Sequence, residues 1–174
     1  NLGCVGQRLM DHPSINIASF IKPEARINEY SRRHLLVGMR YSSGLKNIPK
    51  GDMYVAVCSK TAWHSIGDQL AAFILFVNRT YSETGQVRLS TTDPYDEPIV
   101  DFNLLSDERD LIRLMEGFRK MVLIQQTDPF QRISKEVFAA VYGDKVRQVG
   151  KVNLQNKILT KIFSKNSWTT IIYI

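Results

Sequence analysis

The chain has 174 residues, 44% of them hydrophobic and 23% charged, with a net charge of +6 and a pI of about 9.4. That length fits one domain, or one domain with an extension, and is long enough to bury roughly 70% of the surface the unfolded chain exposes. The basic residues are scattered, the densest group being Arg32-Arg33 with His34, so no Lys/Arg block interleaved with aromatics marks a nucleic-acid face.

Asn1 to Pro13 reads as loop, with Gly3, Gly6 and an Asp11-His12-Pro13 ending. Ser14 to Phe20 alternates as a short strand does. Pro23 to Arg33 is polar with some helical character, and His34 to Tyr41 fits either strand or helix. Ser42 to Gly51, with Gly44 and Pro49, is loop. Met53 to Cys58 and Leu70 to Val77 are continuous apolar runs, the pattern of central strands covered on both sides. Gln86 to Ser90 alternates again, and Tyr81 to Gly85 before it fits a hairpin loop, which would pair the flanking strands antiparallel. A short strand follows around Pro98 to Asn103.

The period then becomes helical. Ser106 is a good N-cap, with Asp107 and Glu108 favourably placed at the positive helix end. Leu111, Leu114, Met115, Phe118, Met121 and Val122 recur at helical spacing, which predicts one apolar face against the sheet and places the helix methionines in the core. Asp128-Pro129 ends this helix and starts another, with Ile133, Val137, Phe138 and Val141 inward. Val152 to Phe163 is a further amphipathic helix. Strands followed by helices give an α+β fold, an antiparallel β-sheet with helices packed on one face.

Cys4 and Cys58 stand apart, with no CxxC and no Cys/His cluster, so neither a disulfide nor a zinc site is indicated. Two thiols, and an N-terminus without a basic region followed by an apolar stretch, favour the cytoplasm. Trp168 to Ile174 is apolar but too short to span a bilayer.

Three ordered segments carry a resemblance. Val5-Gly6-Gln7-Arg8-Leu9-Met10-Asp11-His12-Pro13 is similar to the "GVGxNLxDHP" segment of glucose–methanol–choline (GMC) oxidoreductases, choline dehydrogenase-like flavoproteins. Thr84 to Ser90, with Asp93-Pro94, Pro98 to Asn103 and Leu105-Ser106-Asp107, resembles their "RGxVxLxSxDPxxxPxIDxNYLSD". Asp110 to Arg119 resembles their "DLxxLxxGxR" helix. The likeness covers Leu2 to Phe130, and more loosely Ser134 to Lys165. It implies residues 1–13 as a connecting segment from an FAD domain, residues 14–165 as a substrate-binding domain, and residues 166–174 as a tail of unsettled origin. Family members hold FAD on a Gly-x-Gly-x-x-Gly loop and use a catalytic His in a later segment. Gly3-x-x-Gly6 has no strand before it, and His12, His34 and His64 lie in no such context. The resemblance therefore implies the substrate-binding portion of an FAD-dependent enzyme that oxidises a small-molecule alcohol, cut at both ends, inactive alone and with no FAD expected on this chain. The alternative is a stand-alone, non-catalytic binding module derived from that domain.

Each candidate residue has two readings. Asp11 and His12 would border the cofactor, or pin the turn before Pro13 through side-chain to backbone hydrogen bonds. Trp63 and His64 would line a substrate pocket, or form a loop aromatic beside a solvated imidazole. Asn78 and Thr80, at the end of a strand, would face substrate, or belong to a polar turn. Asp93, Asp101 and Asp107 have local work at a turn, a strand end and a helix start. Surface that met an FAD domain would be exposed around Leu2 to Pro13 and Trp168 to Ile174, which predicts self-association into homo-oligomers.

Overall fold

The computed structural model describes residues 3–26, 34–61 and 67–140, and residue 154. In chain order the strands are β1 (Gln7–Leu9), β2 (Ser14–Ile21), β3 (Leu35–Tyr41), β4 (Met53–Cys58), β5 (Leu70–Val77), β6 (Gly85–Arg88) and β7 (Ile99–Asp101). Helices α1 (Glu108–Gln125) and α2 (Asp128–Ile133) follow, and then strand β8 (Ser134–Ala140). One sheet has the order β1-β6-β7 and the other β3-β4-β5-β2-β8. The α+β architecture expected from the periodicity is the one observed. The two longest apolar runs, β4 and β5, are interior strands of the larger sheet, as runs apolar on both faces should be.

The described residues fall into two compact units. The first draws on Asn1–Ile15, Gly38–Val55 and Ile74–Met121. Its core is Met53, Val55, Leu75, Val77, Leu114 and Met121, and it also buries Asp52, Asp110 and Arg113. Gly117 lets α1 approach closely here, since a Cβ would stand 2.7 Å from the Tyr41 hydroxyl and 2.8 Å from Leu75 Cδ2. The second unit draws on Asn16–Val37, Ala56–Phe73 and Val122–Ile174. There Ile17, Ala18, Ile21, Cys58 and Phe73 are buried, and Phe130 meets Phe73 edge to face with ring centres 5.5 Å apart. Gln125 Nε2 donates to Ile17 O at 3.3 Å. Lys22 Nζ donates to the carbonyls of Gln131 and Arg132 at 3.0 and 2.9 Å, satisfying acceptors at the end of α2.

Several expectations need correction. Tyr81 to Gly85 is not a hairpin loop, because β5 and β6 lie in different sheets; its N–H groups are drawn instead to the start of α1. The first thirteen residues are not all loop, because Gln7–Leu9 pairs antiparallel with β6, with a bulge at Arg8, where φ is 59°. Residues 134–140 are a strand rather than a continuation of α2. Val137 and Phe138 suit a pleated surface, and β8 pairs antiparallel with β2, Ser19 opposite Val137. The helix cap is Asp107, whose Oδ1 accepts the Arg109 N–H at 2.9 Å, while Ser106 faces the Thr84 hydroxyl at 3.2 Å. The inner face of α1 is rotated from the expected one. Asp110, Arg113, Leu114, Gly117, Met121 and Gln125 are buried, whereas Leu111 and Met115 are 40% and 46% exposed. Met115 is therefore not core. The helix expected over Val152 to Phe163 lies outside the described residues apart from Leu154, which is helical and exposed. Val141 and the tail from 166 also lie outside them.

The smaller sheet depends on one missing side chain. A Cβ on Gly85 would stand 2.4 Å from Leu9 O, 2.8 Å from Phe102 O and 2.9 Å from Asp101 O, all of them backbone atoms. Gly85→Ala is expected to destabilise the chain by ~2 kcal/mol or more, because backbone on both sides would have to move. Gly3→Ala, whose Cβ would meet nothing within 4 Å, is expected to leave the thermal midpoint unchanged. Thermal melts followed by circular dichroism compare the two.

Candidate functional site

Strand β5 ends at Val77, and there the segment before β2 returns to it. The Val77 N–H donates to Pro13 O at 3.1 Å, and His12 Nδ1 lies 3.0 Å from Val77 O. A carbonyl only accepts, so Nδ1 donates in this contact and Nε2 is the ring nitrogen left for another partner. The His12 backbone N–H donates to Asp11 Oδ1 at 2.7 Å. These bonds bring residues 10–12 and 78–80 together around an open cleft of about 330 Å³, lined by Met10, Asp11, His12, Asn78, Arg79 and Thr80. Four of the six residues singled out in the sequence thus share one cleft. Trp63 and His64 lie outside the described residues.

Asn78 and Thr80 are anchored by hydrogen bonds. Asn78 Nδ2 reaches Gly51 O at 3.5 Å, the limit of a hydrogen bond, so its amide is only lightly held. Thr80 Oγ1 donates to Asp110 Oδ2 at 2.6 Å and accepts the Ser82 N–H at 3.2 Å. Arg79 is exposed at the rim. Such a cleft can orient a small hydroxyl-bearing molecule through an amide, an imidazole and a hydroxyl.

Behind the cleft lies a buried ionic cluster that the sequence reading did not single out. Arg113 bonds to Asp110 through Nη2 and to Asp52 Oδ2 through Nη1 at 3.3 Å, and all three side chains are fully buried. Arg113 Nη2 also donates to Arg79 O at 2.7 Å, and Nε to Arg109 O at 3.1 Å. Asp110 accepts from Tyr81 N at 3.0 Å, Ser82 N at 2.8 Å and Ser82 Oγ at 2.6 Å, besides Thr80. Burial acts to raise the Asp110 carboxyl, but the Ser82 and Thr80 hydroxyls and the two N–H groups outweigh it and hold it below the usual range. Burial likewise opposes ionisation of Asp52, and hydrogen bonds from Ser43 and Arg113 lower it despite that. Tyr41 is pushed up to about 12, by burial first and then by the charge of Asp52. At the helix start, the Arg109 guanidinium draws Asp107 down to about 2 and lies 3.7 Å from the centre of the Tyr81 ring.

The three remaining aspartates named from the sequence act locally. Asp93 Oδ1 accepts the Tyr95 N–H at 2.9 Å, Asp101 Oδ1 accepts the Asn103 N–H at 3.0 Å, and Asp107 caps α1. Among the described residues no group of three or more His, Cys, Asp or Glu could hold a metal, and no helix is long and apolar enough to cross a membrane. The Gly3-x-x-Gly6 turn does not fit the phosphates of FAD. Gly6, at φ 78°, makes room for β6: a Cβ would stand 2.0 Å from Val87 O, and the Val87 N–H already donates to Gly6 O at 2.8 Å.

The depressed carboxyls fix a pH dependence. Asp52 and Asp110 titrate lower in the folded chain than the ordinary unfolded value of about 3.9. The stability they confer is whole above that unfolded value and is lost as pH falls through their folded values. Asp110→Asn, which leaves Arg113 with less than its full complement of buried charge, is expected to cost ~3 kcal/mol at neutral pH. It should also flatten the loss of stability below about pH 4. Denaturant melts of both chains between neutral and acid pH measure the two effects.

Residues 80–170 match the GMC oxidoreductase family. The chain is 36% identical over 119 residues to a 5-(hydroxymethyl)furfural oxidase of Methylovorus sp. (strain MP688), an overlap of 66% of this chain and 21% of that protein. It thus spans about a fifth of that relative's length. A formate oxidase from Aspergillus oryzae RIB40, in a variant studied for FAD modification, superposes with a TM-score of 0.62 at 16% identity, covering 90% of this chain and 35% of the other. Pyridoxine 4-oxidase from Mesorbium loti gives a TM-score of 0.63 at 14% identity, covering 82% and 28%. The two structures show a shared fold of antiparallel sheets with a helix packed against them. With the family match covering more than half of its residues, the chain belongs to the GMC oxidoreductases.

Proposed function

We propose that this chain is the substrate-side part of an FAD-dependent oxidoreductase acting on a CH–OH group. The observation that carries the reading is the convergence of residues 10–12 and 78–80 on one cleft in a chain of this family. The relative at 36% identity suggests the substrate class, an alcohol with a hydroxymethyl group on a small ring. In this reading Asn78 and His12 hydrogen-bond the substrate, and Asp11 fixes the His12 turn. The flavin supplies the redox chemistry when bound, and other parts of the parent hold it, so the chain alone neither binds FAD nor oxidises an alcohol. The parent is proposed to be cytoplasmic, where Cys4 and Cys58, both free, remain thiols. Association of copies through exposed apolar surface such as Val5 (69% exposed) and Leu89 (80% exposed) belongs to the same proposal.

The second reading, a stand-alone binding module, draws on the Gly6 turn, whose open side is filled by β6. One experiment separates the two. The reading frame extended on both sides of this chain is produced as a single protein and mixed anaerobically with 5-(hydroxymethyl)furfural. The expected result is a bound flavin that is bleached by the alcohol. Asn78→Ala is expected to raise the concentration needed for half-maximal bleaching by about tenfold, the weight of one lost hydrogen bond to substrate. A frame that carries no flavin, or a flavin no primary alcohol reduces, overturns the enzyme reading.

A further inference from the structure

We propose that Arg113 is a positioning residue for the cleft, holding the end of β5 in the one conformation that presents Asn78 and Thr80. The ladder of β5 stops at Val77, so the next residues need other partners for their polar groups. Two carboxylate residues provide them. The N–H groups of Asn78 and Arg79 both go to Asp52 O, at 2.9 and 3.3 Å. The N–H groups of Tyr81 and Ser82, and the hydroxyls of Thr80 and Ser82, go to the Asp110 carboxylate. Arg113 joins the two halves. It bonds to both carboxylates and also donates to Arg79 O, in the middle of the segment.

The chemistry requires a guanidinium. Arg113 directs donors to four acceptors, namely Asp52, Asp110, Arg79 O and Arg109 O. A planar fork of five N–H groups can do this, whereas an ammonium with three donors on a flexible stem cannot reach all four from one position. Arg113 does not line the cleft, and its side chain is fully buried. Its action on a substrate would pass through Arg79 O and through the carboxylate that orients the Thr80 hydroxyl. The fixing of residues 78–82 stands on geometry alone; its consequence for a substrate rests on the function proposed above.

Hydrogen exchange tests the fixing in the unaltered chain. Tyr81 and Ser82 lie in no strand or helix, yet their amides are expected to be protected as well as those of Val55 and Leu75. Exchange at unprotected loop rates overturns the proposal. Arg113→Lys keeps the charge but not the fork, and is expected to speed exchange of the 79–82 amides by about tenfold or more while Val55 and Leu75 are unchanged. An equal rise at all of these sites shows a purely structural role and overturns it. In the extended flavoprotein, Arg113→Lys is expected to raise KM for 5-(hydroxymethyl)furfural about tenfold with kcat within about twofold. An unchanged KM removes the link to substrate. If the wild-type flavoprotein is not reduced by the alcohol, the functional reading fails, and the exchange data alone decide whether Arg113 fixes the segment.

Discussion

Three charges are buried together between α1 and the strands it covers, and much of the first unit follows from the need to keep them satisfied. Removing an ion from water costs several kcal/mol even after relaxation, and mutual attraction offsets this only where the remaining donors and acceptors are also bonded. Asp52, Asp110 and Arg113 meet that condition by recruiting backbone. Asp110 alone accepts from two amides and two hydroxyls of residues 80–82. The dependence is mutual, because the segment leaving β5 would otherwise carry unpaired N–H groups, and the carboxylates would otherwise be bare. Both carboxyls are held below their usual range, so they are ionised at neutral pH and the cluster carries one net negative charge.

That constraint explains the course of the chain after β5. A short loop with a glycine between two strands is normally a hairpin. Here the loop is drawn to the first turn of α1, and the strand after it is delivered to a different sheet. Gly85 is the entry point, flanked by Leu9 O on one side and by the carbonyls of Asp101 and Phe102 on the other. The same displacement opens the space beside Val77 to which residues 10–13 return, with His12 at Val77 O and the Val77 N–H at Pro13 O. Helix position, strand crossing and cleft are one arrangement.

How much of this could be read from residues alone depended on whether a pattern had one physical meaning. Met53 to Cys58 and Leu70 to Val77 could be placed to the residue, because continuous apolar runs of that length bounded by polar residues have few alternatives. Val137 and Phe138 misled, because with Ile133 and Val141 their spacing suits a helix while the edge of β2 takes residues 134–140 as a strand, and pairing outweighs local spacing. The face of α1 was misplaced because apolar residues lie on both sides of it. The useful signal was different: Asp110 and Arg113, three apart and opposite in sign, share a face with Leu114, Gly117 and Met121. A charged pair in phase with a small residue and core side chains marks ions that are going inside. In the candidate site, Asp11, His12, Asn78 and Thr80 were legible because strand ends and turns collect polar side chains. Arg113 is legible only through that phase with Asp110, since nothing else local tells a buried arginine from a solvated one.

The same geometry separates the groups that hold the fold from those that open onto the cleft. These titratable groups with displaced protonation serve the fold: Asp110 and Asp52 hold the strand end, Asp107 caps a helix, and Tyr41 is half-buried near Asp52. The groups that open onto the cleft are an amide, an imidazole and a hydroxyl carried on backbone that this buried cluster holds still. A side chain that orients a substrate gains most from being held in place before the substrate arrives, because the entropy of fixing it is then not charged against binding. A buried ion cluster suits that purpose better than apolar packing would, since its bonds are directional and fail together if the segment shifts. In the function proposed above the flavin supplies the redox chemistry, so this part would need only to hold an alcohol in place, and a strand end braced by buried ions is a sufficient device for that.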